Sequence, residues 1–132
     1  MNPKMNSQLD PFLGAERERR AQEREYFLRG KIVGICESML AEETGVVAGS
    51  RRLSGLGLKL FDGHDDDFEP FDAIDSETDR LPVDSERANW SVEALERKDK
   101  EIAKAEAFYK DDAFAACRKL IERFGMTDNP SQ

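Results

Sequence analysis

Histidine occurs once in these 132 residues, cysteine twice, and no long apolar run occurs anywhere. The single histidine, His64, lies in Asp-Gly-His-Asp-Asp-Asp, so a zinc site built on several histidines is excluded and a catalytic triad finds no support. Cys36 and Cys117 have no nearby ligand partners in sequence, which removes CxxC redox chemistry and zinc knuckles. Both fall within apolar helical patterns and are expected to be buried thiols in a reducing compartment. No Walker loop or GxGxxG is present, and Gly55-Leu56-Gly57 is not followed by the rest of any phosphate-binding pattern. No window approaches the roughly 20 apolar residues of a membrane span. Met1 to Leu13 carries no apolar run of signal-peptide length, so the expected localisation is cytoplasmic. Basic residues are outnumbered: 20 Lys and Arg face 28 Asp and Glu, for a net charge of −8. That balance argues against binding nucleic acid or an anionic membrane and favours cationic partners.

What the chain does have is helical periodicity. Its length fits one domain, and 39% hydrophobic residues support one modest core. The expected fold is all-α: a small bundle of three to four helices, with a long acidic ordered loop between the second helix and a long C-terminal helix. The domain is expected over residues 15–125, between a flexible arm at 1–14, anchored by Leu9, Phe12 and Leu13, and a flexible tail at 126–132.

The first helix is expected over Ala15–Glu42. Glu16–Arg20, Arg19–Glu23 and Glu25–Arg29 are opposite charges at i,i+4, each contributing roughly 0.2–0.5 kcal/mol to an exposed helix. Phe27, Ile32, Ile35, Cys36, Met39 and Leu40 then make a buried stripe. Gly30 and Gly34 inside this run are expected to permit a close helix contact or to mark a break. Thr44 is placed to cap a second helix over Gly45–Phe61, with Arg51, Arg52 and Lys59 as its basic side. Ser91 caps the last helix, which runs to about Phe124 before Gly125, unless Asp111 and Asp112 split it. Its apolar face is Leu95, Ile102, Ala105, Tyr109, Ala113, Ala116, Leu120 and Phe124. Tyr26, Phe27 and Trp90 are expected in the core, Trp90 as a staple at the helix entry.

Asp62 to Glu86 is different in kind. It holds eleven acids against the single base Arg80, so it carries −10 while the rest of the chain sums to +2. Phe68, Phe71, Ile74, Leu81 and Val83 interleave with the acids, and Pro70 and Pro82 restrict the backbone. An ordered loop pinned by its apolar residues is expected, with carboxylates pointing out. Asp75, Glu77, Asp79 and Glu86 occupy positions 1, 3, 5 and 12 of a calcium-loop frame, but Arg80 replaces the required glycine and Pro82 removes a needed amide. A looser divalent-metal site on Asp65, Asp66 and Asp67 stays open as an alternative. No cofactor and no catalysis are expected, since the carboxylate pairs lack any distinguishing pattern.

The run Phe71-Asp72-Ala73-Ile74-Asp75-Ser76-Glu77-Thr78-Asp79-Arg80-Leu81-Pro82, with Trp90, Ala94-Leu95 and Cys117-Arg118-Lys119-Leu120-Ile121, resembles a family of small bacterial helical proteins that brings no catalytic residue to transfer. In general character the chain is also similar to immunity proteins of bacterial toxin systems, which are small, acidic and helical. That similarity implies a non-catalytic module neutralising a cationic effector. The candidate contact residues are Asp65, Asp66, Asp67, Glu69, Asp72, Asp75, Glu77 and Asp79. Asp65–Glu69 is expected to face outward, while Asp75 and Asp79 turn inward to organise the fold, for instance against Arg51 or Arg52. The alternative is a helical module that self-associates as a homodimer through its last helix.

Overall fold

The computed structural model describes residues 11–125. These residues form four α-helices: α1 at Pro11–Leu40, α2 at Val46–Phe61, α3 at Glu69–Thr78 and α4 at Val92–Phe124. Two 3-10 turns, Asp66–Phe68 and Asp84–Asn89, flank α3. No strand occurs among the described residues. The all-α bundle expected from the sequence is the architecture found. Among the described residues no helix is long and apolar enough to cross a membrane.

α1 starts earlier than expected. Pro11 is its first residue, where the missing N–H costs nothing and the fixed φ suits a helix. Pro11–Gly14 is therefore helix and not arm; Leu9, with the rest of the arm, lies outside the described residues, as does the tail from Met126. The buried stripe of α1 is Leu28, Ile32, Cys36 and Met39. Phe27, expected on it, is 61% exposed. Gly30 and Gly34 neither break the helix nor admit a neighbour, since a Cβ at either would meet nothing within 4 Å. The charged pairs of the first half form: Arg20–Glu16 at 3.6 Å, Arg19–Glu23 at 4.0 Å and Arg29–Glu25 at 3.7 Å.

α2 runs unbroken to Phe61, and its glycines serve packing. A Cβ on Gly49 would lie 2.4 Å from Met39 Sδ, and one on Gly57 2.6 Å from the Phe68 ring. Thr44 does not cap it; its hydroxyl bonds Ser38 Oγ at 2.6 Å. The N-cap is Gly45, and the cap interaction comes from α4: Glu106 Oε2 accepts from Val47 N–H at 3.0 Å. A carboxylate at a helix N-terminus suits the dipole.

α4 begins at Ser91, which accepts from Ala94 N–H at 3.1 Å, and runs past Asp111 and Asp112 without interruption. It packs antiparallel to α1. At one end Arg29 lies 5.7 Å from the Phe124 ring centre, and at the other Lys110 pairs with Glu42 at 2.8 Å. The core fills between them with Cys36, Met39, Ala113, Cys117 and Leu120 against Leu53, Phe68, Phe71 and Ile74. The two thiols, distant in sequence, meet there: Cys117 Sγ is 3.8 Å from Met39 Sδ and in contact with Cys36. Contact with Cys117 and burial push the Cys36 thiol far up, away from the reactive thiolate.

This antiparallel register leaves α1 longer than the body it packs on. From Phe12 to Phe27 every residue but the half-buried Glu16 is exposed. At 1.5 Å per residue, Pro11–Phe27 projects about 25 Å past the end marked by Phe124. Tyr26 and Trp90, expected in the core, are each 37% exposed, and Trp90 carries Lys98 over its ring at 5.8 Å.

Candidate functional site

The acidic segment is ordered as expected, but it is mostly helix. Asp65 opens it by accepting from Asp67 N–H at 3.0 Å. Pro70 sits in the first turn of α3, where no N–H is needed, and Glu69 and Asp72 in that turn suit the dipole. Phe71, Ile74 and Thr78 give α3 a buried stripe, and Phe68, Leu81 and Val83 are buried on either side. All five expected anchors hold.

Much of the segment's charge is neutralised within the chain. Arg51 of α2 is the main hub. Its Nε donates to Asp75 Oδ1 at 3.0 Å, and Nη1 donates to Glu86 Oε1 at 2.7 Å and to Leu81 O at 3.1 Å. Its Nη2 donates to Thr78 O at 2.7 Å, capping the last turn of α3. Arg52 grips Asp84 with two bonds of 2.6 and 3.1 Å. At the other end, Arg123 of α4 binds Asp65 with two bonds of 2.8 and 3.1 Å and Asp67 with one of 2.7 Å. Lys119 adds a contact to Asp67 at 3.3 Å. The Arg123 guanidinium holds the Asp65 carboxyl below the usual carboxylate range.

The division into outward and inward acids therefore changes. Asp65 and Asp67, expected to face out, are clasped to α4, with side chains only 16% and 21% exposed. The metal site imagined on Asp65, Asp66 and Asp67 is taken apart by the same clasp, which spends two of its three carboxylates on Arg123. Asp66 alone of the three points to solvent, beside His64 at 3.1 Å. His64, Asp66 and Glu69 bring ligand atoms within 4.8 Å of one another, but all three are exposed surface groups. Asp72 accepts from Ser54 Oγ. Asp75 turns inward to Arg51 as expected, whereas Asp79 is exposed, as is Glu77. Among the described residues Glu69, Glu77 and Asp79 have no ion-pair partner.

Of these, Glu69 and Glu77 border an apolar seam between α3 and α4. A groove of about 540 Å³ is floored by Pro70, Ala73 and Ile74 on one side and Tyr109, Ala115 and Ala116 on the other. Asp66 and Glu69 stand on its α3 rim, and Asp112 and Lys119 on its α4 rim. Tyr109 also lines a second groove, where Glu77, Arg80 and Leu81 face Glu101, Lys104, Ala105 and Phe108. Sharing Tyr109, the two grooves follow one another along the α3–α4 seam. On α4 it runs from Glu101 to Lys119, about 27 Å. Phe108 is 77% exposed on its wall, with its ring against Tyr109 at a centroid distance of 4.9 Å.

Glu69, Asp66 and Glu77 of this site were singled out in the sequence. Asp112, Phe108 and Tyr109 were not: Tyr109 lay on the core stripe, and Asp112 read as a potential helix break. The available signal was Phe108, a large aromatic one position off the stripe. No protein-family model, no curated protein and no solved structure matches this chain.

Proposed function

We propose that this chain is a non-catalytic protein-binding module that docks a basic segment of its partner along the α3–α4 seam. The observation that supports it is the combination of an apolar floor, an exposed aromatic wall and acids that have no ion-pair partner among the described residues on both rims, Glu69 and Glu77 on α3 and Asp112 on α4. Floor and aromatic supply the buried centre of an interface, and rim carboxylates supply steering and register. Solvated acids alone would need no such floor, and exposed apolar grooves on small proteins commonly mark contact sites. An immunity protein occluding a cationic effector is one form of this chemistry, with the acid rim facing the effector's basic cleft.

The test is affinity capture from the source cell, with the wild type and a Glu69→Lys/Asp112→Lys variant compared on the same captured partner. A seam interface lowers the variant's affinity at least tenfold and flattens its salt dependence. Unchanged affinity and salt dependence place the interface elsewhere.

A further inference from the structure

The seam has a complement on the chain itself. The projecting half of α1 carries Arg17, Arg20 and Arg24 on one face, at the i, i+3, i+7 spacing that aligns residues along a helix. All three are exposed. Arg17 and Arg24 have no ion pair among the described residues, and Arg20 has only a 3.6 Å contact to Glu16. Phe27, 61% exposed, follows on the same face three residues after Arg24. Among the described residues, the contacts on this face are local to α1: Glu16 beside Arg20 and Lys31 over the Phe27 ring at 5.6 Å.

The dimensions agree as well as the charges. The projecting half is about 25 Å long and the seam about 27 Å. Arg17 and Arg24 are about 10 Å apart along α1, and Glu69 and Glu77 about 12 Å apart along α3. The α1 projection leaves the body at the Phe124 end, which is also the end where the seam opens, beside Asp67 and Lys119. A chain cannot fold its own rigid projection back onto its own seam. A second copy, inverted so that the two Phe124 ends face each other, can lay its projection there.

We infer that the α3–α4 seam receives the N-terminal half of α1 from a second copy of this chain, in a reciprocal dimer that pairs Arg24 with Glu69 and Arg17 with Glu77. This rests on the reading that the seam is the docking face, and it names that face's occupant. Each copy gives one projection and receives one, so the contact is made twice about a two-fold axis and closes on itself. A foreign basic segment would then enter by displacing the projection.

Sedimentation velocity over a concentration series tests it directly. The wild type is expected to sediment as a concentration-dependent dimer. Arg24→Glu and Glu69→Lys are each expected to weaken dimerisation at least tenfold. Both residues are exposed and without ion pairs, so circular dichroism should show unchanged helicity. The double variant Arg24→Glu/Glu69→Lys restores opposite charges in both contacts and should recover the dimer. A wild type that stays monomeric at every concentration overturns the inference, as does a double variant no better than the singles. A monomeric wild type whose captured partner is still lost on Glu69→Lys/Asp112→Lys substitution overturns the dimer alone and leaves the docking face standing.

Discussion

Arg123 meets Asp65 edge to edge, Nη1 to Oδ1 at 2.8 Å and Nη2 to Oδ2 at 3.1 Å, while its guanidinium lies 4.8 and 4.9 Å from the ring centres of Phe61 and Phe124. One side chain thus ties the start of the acidic segment to the end of α4 and closes the edge of the aromatic core. The bidentate geometry and the small exposure of Asp65 make this more than an ordinary surface ion pair.

Acid should therefore loosen the clasp. Hydrogen bonding from Arg123 depresses the native pKa of Asp65 below its unfolded value. A depressed carboxyl contributes stability above its unfolded pKa, near 4, that is lost as pH falls through the lower native value. Urea midpoints of the wild type should fall below about pH 4. Asp65→Asn, which can still accept from Asp67 N–H, should fall less steeply over the same window. Parallel profiles would remove Asp65 from the pH dependence.

Arg51 holds the other end of the segment through four hydrogen bonds to two carboxylates and two carbonyls. Arg51→Ala strands Leu81 O and Asp75, leaves Thr78 O with the Leu81 N–H as its remaining donor, and should cost about 2–3 kcal/mol in denaturant unfolding. Arg51→Lys keeps the charge but not the fork, and should recover less than half of that loss. Full recovery by lysine would mean that charge alone matters.

The glycines of α1 and α2 should respond oppositely to alanine. At exposed Gly30 and Gly34 a methyl meets nothing, so each substitution should add about 0.5–1 kcal/mol through helix propensity. At Gly57 the same methyl strikes the Phe68 ring, and overpacking should cost about 1–3 kcal/mol. Thermal midpoints of the three variants check the order; a stabilised Gly57→Ala would contradict the close contact.

Glu106 caps a helix 59 positions away in sequence. Glu106→Ala should cost about 0.5–2 kcal/mol, the range for losing a helix N-cap. Glu106→Gln, which can still accept from Val47 N–H, should lose only a few tenths. Equal losses from both would point to charge, not capping.

The helices around the core were legible because each carries its own period: Ile32, Cys36 and Met39 in α1, and Ala113, Ala116, Leu120 and Phe124 in α4. α3 was missed because Pro70 and the dense acids read as loop signals. In a first turn, proline and carboxylates are helix signals instead, and the Phe71–Ile74–Thr78 spacing was the deciding pattern. Phe27 and Leu28 are adjacent, so periodicity alone did not choose between them; packing against α4 buries Leu28. Arg51 with Asp75 was legible as complementary charge on neighbouring elements. Arg123 with Asp65 was not, because it depends on where the end of α4 lands. The seam depends on how two consecutive helices pack side by side, and one of them, α3, carries loop signals in its sequence.

The most direct test of the docking seam is site-specific photocrosslinking in the source cell. A photoreactive phenylalanine analogue is placed at Ala73 or Ala115, both exposed on the seam floor, and at Lys100, exposed on α4 and absent from the grooves described, as control. A docking seam yields discrete adducts from Ala73 and Ala115, at the mass of a second copy or of a captured partner, and none from Lys100. No adduct from either seam position, or equal adducts from all three, would contradict it.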